Sequence, residues 1–157
     1  MNDKVEMPHK HVPPPAELVK SRIEEVLPID VQQDVADGNV ALIDSRDPQR
    51  FETGHIPGAV SVPAGENAVD AHDDAYAAKV AEAAGGKPVL VYCGTGNRSA
   101  RVADALSNEH GVEGTRSLIG GIKLWDDLGF PVEGTVEVGD VDDSEANMGD
   151  GGEEDTT

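Results

Sequence analysis

The fold of this protein is decided by one stretch near the middle of the chain, Val89-Leu90-Val91-Tyr92-Cys93-Gly94-Thr95-Gly96-Asn97-Arg98-Ser99-Ala100-Arg101. Its first four residues are apolar and mostly β-branched or aromatic, which is typical of a buried strand. Glycines then alternate with polar residues, as in a tight loop, and the stretch ends where a helix begins. The only cysteine of the chain, Cys93, stands where the strand ends and the loop begins.

The position of Cys93 favours a charged sulfur. At a strand–loop–helix junction the N–H groups of the loop and of the helix N-terminus have no carbonyl partner and point inward. These donors and the helix dipole attract negative charge and stabilise a thiolate. A lone cysteine is more often a small buried hydrophobic residue. The Gly-x-Gly-x-Arg sequence after Cys93 favours a nucleophile that carries an anionic group.

Length and composition predict one domain that works in a reducing compartment. A chain of 157 residues can bury a core without staples, although 38% hydrophobic residues is low enough to suggest that part of it lies outside the fold. One cysteine excludes an intrachain disulfide. Residues 1–30 lack the apolar run of a signal peptide, and no segment approaches the roughly 20 apolar residues of a membrane span. We therefore expect a cytoplasmic protein that does not bind membranes.

The strongest compositional anomaly is the net charge of −19, from 31 acidic residues against 12 lysines and arginines. Such charge repels itself in dilute salt, whereas in molar salt the Debye length falls to about 3 Å and the repulsion is screened. The balance predicts a protein adapted to a salt-rich cytoplasm, as in halophilic microbes; the alternative is an ordinary acidic protein with an acidic tail. It excludes nucleic acid and anionic membranes as expected partners.

The chain divides into three parts. Residues 1–15 are rich in proline and predict a flexible leader, in which His9 and His11 lack the further ligands that a metal site needs. Residues 16–132 predict the folded domain. Residues 133–157 contain acids but no lysine or arginine, which predicts a disordered acidic tail.

Within residues 16–132, short apolar runs alternate with amphipathic segments, which predicts an α/β fold: a three-layer sandwich with a mainly parallel central sheet flanked by helices. Asp30 is expected to cap the helix before the first central strand, and Leu124, Trp125 and Leu128 share core spacing in the last helix. Strands are predicted at residues 22–26, 40–43, 58–62, 88–92 and 116–119, and helices at residues 16–20, 30–36, 48–51, 73–84, 98–109 and 121–128.

The first central strand, residues 40–43, is followed by Asp44-Ser45-Arg46. In open α/β sheets, ligands bind at the carboxyl ends of the strands, so Asp44 and Arg46 are expected near Cys93.

Three motifs resemble those of the rhodanese family of sulfurtransferases. The segment from Leu42 to Arg46 with Gly-His-Ile-Pro-Gly-Ala at residues 54–59 is similar to the N-terminal signature of the family. The loop of residues 93–99 is similar to its active-site loop. Gly-Gly-Ile-Lys-Leu-Trp at residues 120–125 with Gly-Phe-Pro-Val at residues 129–132 is similar to its C-terminal signature. The three motifs occur in the order of the family across residues 28–132.

The resemblance implies a sulfurtransferase of the thiosulfate:cyanide type that needs no cofactor. The Cys93 thiolate would take a sulfane sulfur, become a persulfide, and pass the sulfur to a thiophilic acceptor such as cyanide or a thiol. Arg98 is the expected anion contact, and Arg101 is either a second cation at the mouth or a solvated surface residue. The loop amides that would stabilise the charged sulfur belong to Gly94, Thr95, Gly96, Asn97 and Ser99. We expect Gly94 and Gly96 to let the backbone approach the ligand closely.

Two other functions remain open. Cysteine-based phosphatases and arsenate reductases carry five residues between cysteine and arginine, whereas this loop has four, Gly94 to Asn97. The shorter loop favours a single sulfur atom over a tetrahedral oxyanion. The other alternative is a non-catalytic rhodanese-like module for docking or sulfide sensing; such modules usually lack the cysteine.

The residue directly after the cysteine differs from that of many family members. Many family members carry a basic residue directly after the cysteine, where this chain has Gly94. Weak capture of free thiosulfate is therefore expected, and a protein persulfide is the alternative donor. The other side chains around the site have structural interpretations. Asp44 and Arg46 are expected to support the site structurally. His55 is interpreted as a backbone-bonded histidine and Trp125 as a core residue.

Overall fold

The computed structural model describes residues 14–136. The predicted leader as far as residue 13, with His9 and His11, and the predicted tail from residue 137 onward lie outside the described residues. The other predictions about fold and site fall within them.

A parallel sheet of five strands forms the centre of the molecule. The strands are β1 (Glu24–Val26), β2 (Ala41–Asp44), β4 (Val60–Ser61), β5 (Val89–Tyr92) and β6 (Arg116–Leu118). Their order across the sheet is β1-β6-β5-β2-β4, and every pairing is parallel, as predicted. Cys93 directly follows β5, the middle strand, whose carboxyl end lies beside that of β2 because Asp44 pairs with Tyr92.

Two apolar clusters cover the two faces of the sheet, which confirms the three-layer sandwich. Side chains alternate along each strand, so Ile43 and Val91 face one cluster, whereas Leu42 and Leu90 face the other. Both central strands are wholly buried and therefore read as continuous apolar runs in the sequence. The helices are α1 (Ala16–Lys20), α2 (Pro28–Ala36), α3 (Pro48–Thr53), α4 (Asp74–Ala84), α5 (Asn97–Asp104) and α6 (Gly121–Asp127).

Helix α2 begins earlier than predicted. Asp30 is not its cap: α2 starts at Pro28, after Leu27, and Asp30 lies in its first turn. Proline is well suited to the first helical position, because its φ is already helical and its missing N–H has no partner to lose there.

The last helix of the domain also differs from its prediction at one end. Trp125 is buried, as expected, whereas Leu124 is half-buried and Leu128, which follows the end of α6, is 49% exposed. The buried side of α6 is formed by Gly121, Ile122 and Trp125, so the predicted core spacing is correct for Trp125 alone. The predicted helix of residues 98–109 corresponds to α5 and a π-helical turn, Ala105–Glu109.

The folded domain extends beyond the predicted boundary at residue 132. Glu133–Gly134 forms a short strand, β7, that pairs antiparallel with β3 (Gly54–His55). His55 Nε2 lies 3.0 Å from a carboxylate oxygen of Glu133. The acidic composition that predicted a tail therefore includes residues held by backbone pairing.

Besides β3 and β7, one further element was not predicted. Residues Glu66–His72 form a 3-10 segment in which Asn67 and Ala68 have positive φ. Among residues 14–136, no helix is long and apolar enough to cross a membrane.

Candidate active site

The Cys93 sulfur lies inside a cradle of backbone donors at the carboxyl end of β5. The N–H groups of Gly96 and Ser99 each donate to Sγ at 3.2 Å. Ser99 belongs to the first turn of α5, so the positive end of that helix dipole faces the sulfur. The cysteine is 0% exposed, and a negative sulfur there is stabilised by these donors in place of water. Two of the loop N–H groups that the sequence places around the sulfur, those of Gly96 and Ser99, therefore donate to it.

Side-chain hydroxyl groups complete the inner surface of the cradle. Cys93 Sγ lies 3.4 Å from Ser99 Oγ, and Ser99 Oγ lies 2.9 Å from Ser117 Oγ. The Ser99 hydroxyl also lies 3.4 Å from the Gly96 carbonyl oxygen. All three side chains that form this line from Cys93 through Ser99 to Ser117 are wholly buried.

The N-terminus of α6 holds the loop from the other side. The N–H of Ile122 donates to the Cys93 carbonyl at 2.9 Å, and that of Lys123 donates to the Gly94 carbonyl at 3.1 Å. A Cβ on Gly121 would lie 2.5 Å from these same two carbonyl oxygens, so glycine is required for the approach. Because α6 takes the carbonyl groups, the loop is free to turn its N–H groups toward the sulfur.

The backbone before α6 gives a further reason for glycine at position 96. Gly96 has a φ of +106°, and a Cβ there would lie 3.1 Å from the backbone nitrogen of Gly120. Both the positive φ and this close approach of two backbones disfavour a side chain at this position. Gly94 is buried next to Cys93.

The outer part of the loop is formed by side chains that solvent partly reaches. Thr95, Asn97 and Arg98 are half-buried, whereas their neighbours in the loop are buried. Arg98 Nη1 lies 3.7 Å from a carboxylate oxygen of Asp47, whose side chain is 60% exposed. An acidic group thus stands beside the cation that the sequence suggests as the anion contact.

Asp44 and Arg46 lie at this edge of the sheet, as predicted, and bond to each other. Arg46 Nη2 lies 2.8 Å from Asp44 Oδ2 and donates to the Gly54 carbonyl at 2.6 Å. Asp44 is 0% and Arg46 3% exposed. The Arg46 guanidinium also lies over the Tyr92 ring. These contacts tie β2, β3 and β5 together, which is the geometry that a supporting role requires.

Arg101 is not a solvated surface residue, and its described hydrogen bond is not made to the sulfur. It is 6% exposed, and Nη1 donates to the Pro14 carbonyl at 2.6 Å. The side chain lines a cavity between α1, the 3-10 segment and α5, together with Arg22, His72 and Asp104. Its bond to Pro14 secures the chain before α1.

Two residues that could have been taken for functional groups are engaged elsewhere. His55 stacks on Phe51, with ring centroids 4.0 Å apart, and its Nδ1 lies 2.8 Å from the Phe51 carbonyl oxygen. Trp125 is buried and donates through Nε1 to the Pro131 carbonyl. Both contacts agree with the structural interpretation drawn from the sequence.

Sequence reasoning missed Ser117 and Ser45. Ser117 lies on β6, the neighbour of β5, and Ser45 donates its hydroxyl hydrogen to the Tyr92 carbonyl at 2.9 Å, directly before Cys93. A serine in or beside an apolar strand is an available signal, because a buried hydroxyl needs a partner. The identity of that partner depends on which strands are neighbours, and this the sequence did not show.

Comparisons with known proteins agree with the fold. Residues 27–128 match the Rhodanese-like domain family. The thiosulfate sulfurtransferase GlpE of Pseudomonas syringae is 34% identical over 99 residues, which are 63% of this chain and 84% of GlpE. The HTH-type transcriptional regulator Rv0324 of Mycobacterium tuberculosis is 32% identical over 107 residues, or 67% of this chain. The match covers only 42% of that regulator.

Among solved structures, the protein RPA3614 of Rhodopseudomonas palustris, described as a possible tyrosine phosphatase, superposes with a TM-score of 0.62 at 27% identity. The match covers 82% of this chain and 100% of that one. The family match spans more than half of the chain and includes the loop, the strand before it and all of α6. This chain therefore belongs to the rhodanese-like domain family.

Proposed function

We propose that this protein is a sulfurtransferase of the thiosulfate:cyanide type, in which Cys93 carries the transferred sulfur as a persulfide. The observation that carries the proposal is the pair of backbone N–H groups, from Gly96 and Ser99, that donate to Sγ at 3.2 Å. Preorganised donors of this kind stabilise a thiolate and a charged persulfide in the same place. Similarity to the sulfurtransferase GlpE supports the same chemistry.

The reaction balances without an outside oxidant or reductant. The Cys93 thiolate attacks the outer sulfur of thiosulfate, a new S–S bond forms, and sulfite leaves with the electron pair of the bond that breaks. Cyanide or a thiol then attacks the terminal sulfur and takes it, which restores the thiolate. Because Cys93 is the only cysteine, no intrachain disulfide can complete the cycle, and an external acceptor is required.

In this proposal Arg98 contacts the anionic part of the donor, and the amides of residues 94–97 and Ser99 surround the sulfur. Asp44 and Arg46 act by support, since each is buried and bonded to the other. A cytoplasmic site of action fits the single cysteine.

The physiological donor is proposed to be a persulfide on another protein or on a small thiol. Gly94 supplies no charge, and Asp47 lies 3.7 Å from Arg98. The net charge of −19 repels small anions over the whole surface. All three features weaken the capture of free thiosulfate.

The decisive experiment is mass spectrometry of the intact protein after incubation with thiosulfate in molar KCl. Wild type is expected to gain the mass of one sulfur atom, and Cys93→Ser to gain nothing. Two added oxygens have almost the same mass, so the adduct must also be removed by cyanide, which does not reverse a sulfinic acid. Absence of a cyanide-sensitive adduct with both thiosulfate and a small persulfide donor would refute the proposal.

A phosphatase is the second candidate, because RPA3614 is described as a possible tyrosine phosphatase. The four residues between Cys93 and Arg98 argue against it, since two N–H groups of this short loop already converge on Sγ itself. Turnover of an aryl phosphate that is lost in Cys93→Ser would establish the phosphatase instead.

The third candidate is a non-catalytic docking or sensing module, which the complete burial of Cys93 favours. It predicts no sulfur adduct with any donor and no aryl phosphate turnover. The same mass measurement therefore separates it from the sulfurtransferase.

A further inference from the structure

Ser117 is a buried hydroxyl behind the active-site loop. It lies on β6 opposite Val91 of β5 and is 0% exposed. Leu118, the next residue, faces the opposite side of the sheet, in the cluster that contains α6. Ser117 therefore faces α5, the helix that carries Ser99. A serine at such a position is costly unless its hydroxyl is hydrogen-bonded.

The hydroxyl of Ser117 is linked to the cysteine through Ser99. Its oxygen lies 2.9 Å from Ser99 Oγ, and Ser99 Oγ lies 3.4 Å from Cys93 Sγ. The Ser99 oxygen has a third neighbour, the carbonyl oxygen of Gly96, also at 3.4 Å. The shortest of the three contacts is the one between the two serines.

Counting hydrogens shows what Ser117 can do. A serine hydroxyl has one hydrogen to donate and can accept two. The Gly96 carbonyl and a Cys93 thiolate can only accept. If Ser99 gave its hydrogen to Ser117, neither of these acceptors would receive it. If Ser117 donates to Ser99 instead, the Ser99 hydrogen stays available for the sulfur.

A charged sulfur favours the second arrangement. Hydrogen bonds to an ionised acceptor are stronger than neutral ones, and successive hydrogen bonds in one direction polarise each other. With a neutral thiol the hydrogen bond between Cys93 and Ser99 has the opposite direction, because the S–H donates to the Ser99 oxygen. We propose that Ser117 is a positioning residue that favours the Cys93 thiolate by donating its hydroxyl hydrogen to Ser99. In this role Ser117 acts on the sulfur through Ser99.

The inference deepens the proposed function, since a persulfide would be held in the same way as the thiolate. It can nevertheless be tested on the resting protein without sulfur transfer. A protein that formed no persulfide would still have a Cys93 thiol whose ionisation could be measured. Failure of one proposal is thus distinguishable from failure of the other.

The test is a pH titration followed by the ultraviolet absorbance of the thiolate, with Cys93→Ser as the blank. Burial raises the pKa of both tyrosines of the chain, Tyr76 and Tyr92, so they do not ionise together with the thiol. The midpoint of the titration is expected to rise by about half a pH unit in Ser117→Ala, a roughly threefold loss of thiolate preference. An unchanged midpoint overturns the proposal.

Two comparisons separate positioning from a general structural effect. In a Ser99→Ala background, which keeps the Ser99 N–H, Ser117→Ala is expected to cause no additional rise. An equal rise there overturns the proposal, because Ser117 would then act by another path. Thr115→Val is the matched control: it removes a buried hydroxyl that donates to the Val112 carbonyl, and it should leave the midpoint unchanged. A shift as large as that of Ser117→Ala also overturns the proposal.

A conservative variant protects the test against misfolding. Ser117→Thr keeps the hydroxyl and is expected to keep the wild-type midpoint. A rise equal to that of Ser117→Ala contradicts the hydroxyl as the cause. The charged pairs near the loop, Asp47 with Arg98 and Asp44 with Arg46, are the same in every variant, so they cancel in each comparison.

Discussion

At the scale of single residues, Asp47 and Arg98 define how the site meets an anion. The carboxylate and the guanidinium are 3.7 Å apart at the partly exposed edge of the loop. An anionic donor that approaches Arg98 must compete with this carboxylate, and no other charge is added by Gly94. In the proposed function, the affinity for thiosulfate therefore depends on Asp47, which lies three residues after Asp44, between β2 and α3.

Replacing Asp47 with asparagine is expected to strengthen thiosulfate binding. Exposed pairs of this kind contribute up to about 1 kcal/mol, so the KM for thiosulfate should fall about two- to fivefold in steady-state assays at low salt. The benefit should shrink in molar KCl, because screening weakens both the competition and the attraction.

The matched control for Asp47 is Asp37→Asn, which changes the net charge equally. Asp37 follows α2, before β2 begins, at the opposite edge of the sheet from Cys93. Its KM should stay that of wild type; an equal fall in both variants would mean that only the total charge matters.

At the scale of elements, the active-site loop depends on α6 as much as on α5. The first turn of α6 binds the carbonyl groups of Cys93 and Gly94, and the first turn of α5 directs an N–H to the sulfur. The Gly-Gly sequence before Ile122 is part of the resemblance motif. Its physical role is to let two backbones approach closely.

Gly121→Ala is expected to destabilise the protein and to disturb the loop. The new Cβ would meet the Cys93 and Gly94 carbonyl oxygens at 2.5 Å, an overpacking that costs about 1–3 kcal/mol beyond the strain of a positive φ. Denaturant unfolding should show this loss, and the rate of persulfide formation should fall with it.

Gly129→Ala serves as its control. This glycine also has positive φ, at the other end of α6, and no atom lies within 4 Å of its added Cβ. It should lose only the roughly 1–2 kcal/mol of backbone strain and form persulfide at the wild-type rate. Equal behaviour of the two variants would show that Gly121 matters for its backbone conformation alone.

A second contact between elements predicts a pH dependence of stability. Arg22, before β1, binds both carboxylate oxygens of Asp104 on α5, at 3.0 and 2.8 Å. Burial alone raises the pKa of Asp104, but the hydrogen bonds from Arg22 and Asn108 outweigh it, and the pKa lies below 3.8. The stabilisation is therefore present above pH 3.8 and is lost as the pH falls through the lower pKa of the folded state.

Asp104→Asn should consequently lower the free energy of unfolding at neutral pH and flatten its decline below pH 3.8. Urea unfolding at a series of pH values measures both effects. Asp127→Asn, which removes an exposed carboxylate paired with Lys123, should leave the acid decline unchanged. A decline in Asp104→Asn as steep as in wild type contradicts the assignment.

At the scale of the whole molecule, charge dominates the expected behaviour. A net charge of −19 on a chain of this length opposes compaction unless salt screens it. Ion pairs between distant elements, such as Arg22 with Asp104, offset this repulsion only locally.

The melting temperature is expected to rise by at least about 4 °C between low salt and molar KCl, which corresponds to about 1 kcal/mol. Differential scanning calorimetry measures it directly. Sucrose at the same osmolarity stabilises by exclusion without screening and should give a smaller rise. A melting temperature that does not change with KCl would contradict adaptation to a salt-rich cytoplasm.

Much of the fold could be predicted from residue patterns alone, because local physics suffices for it. Continuous apolar runs at β2 and β5 identify strands covered on both faces, and the glycine-rich stretch after Cys93 identifies a tight loop before a helix. Errors occur where a distant backbone decides the outcome. Glu133 and Gly134 look like acidic tail, yet they pair with a strand about 80 residues earlier.

By itself, the sequence determined that this protein is an α/β sandwich with its single cysteine at the carboxyl end of a central strand. Those properties follow from hydrophobic pattern, glycine positions and the chemistry of one side chain. Only the tertiary structure decided that Ser117 lies behind Ser99, that α6 binds the loop carbonyls and that Asp47 stands beside Arg98. Each of these contacts joins residues from different elements, and their distances depend on how strands are ordered and packed rather than on spacing along the chain.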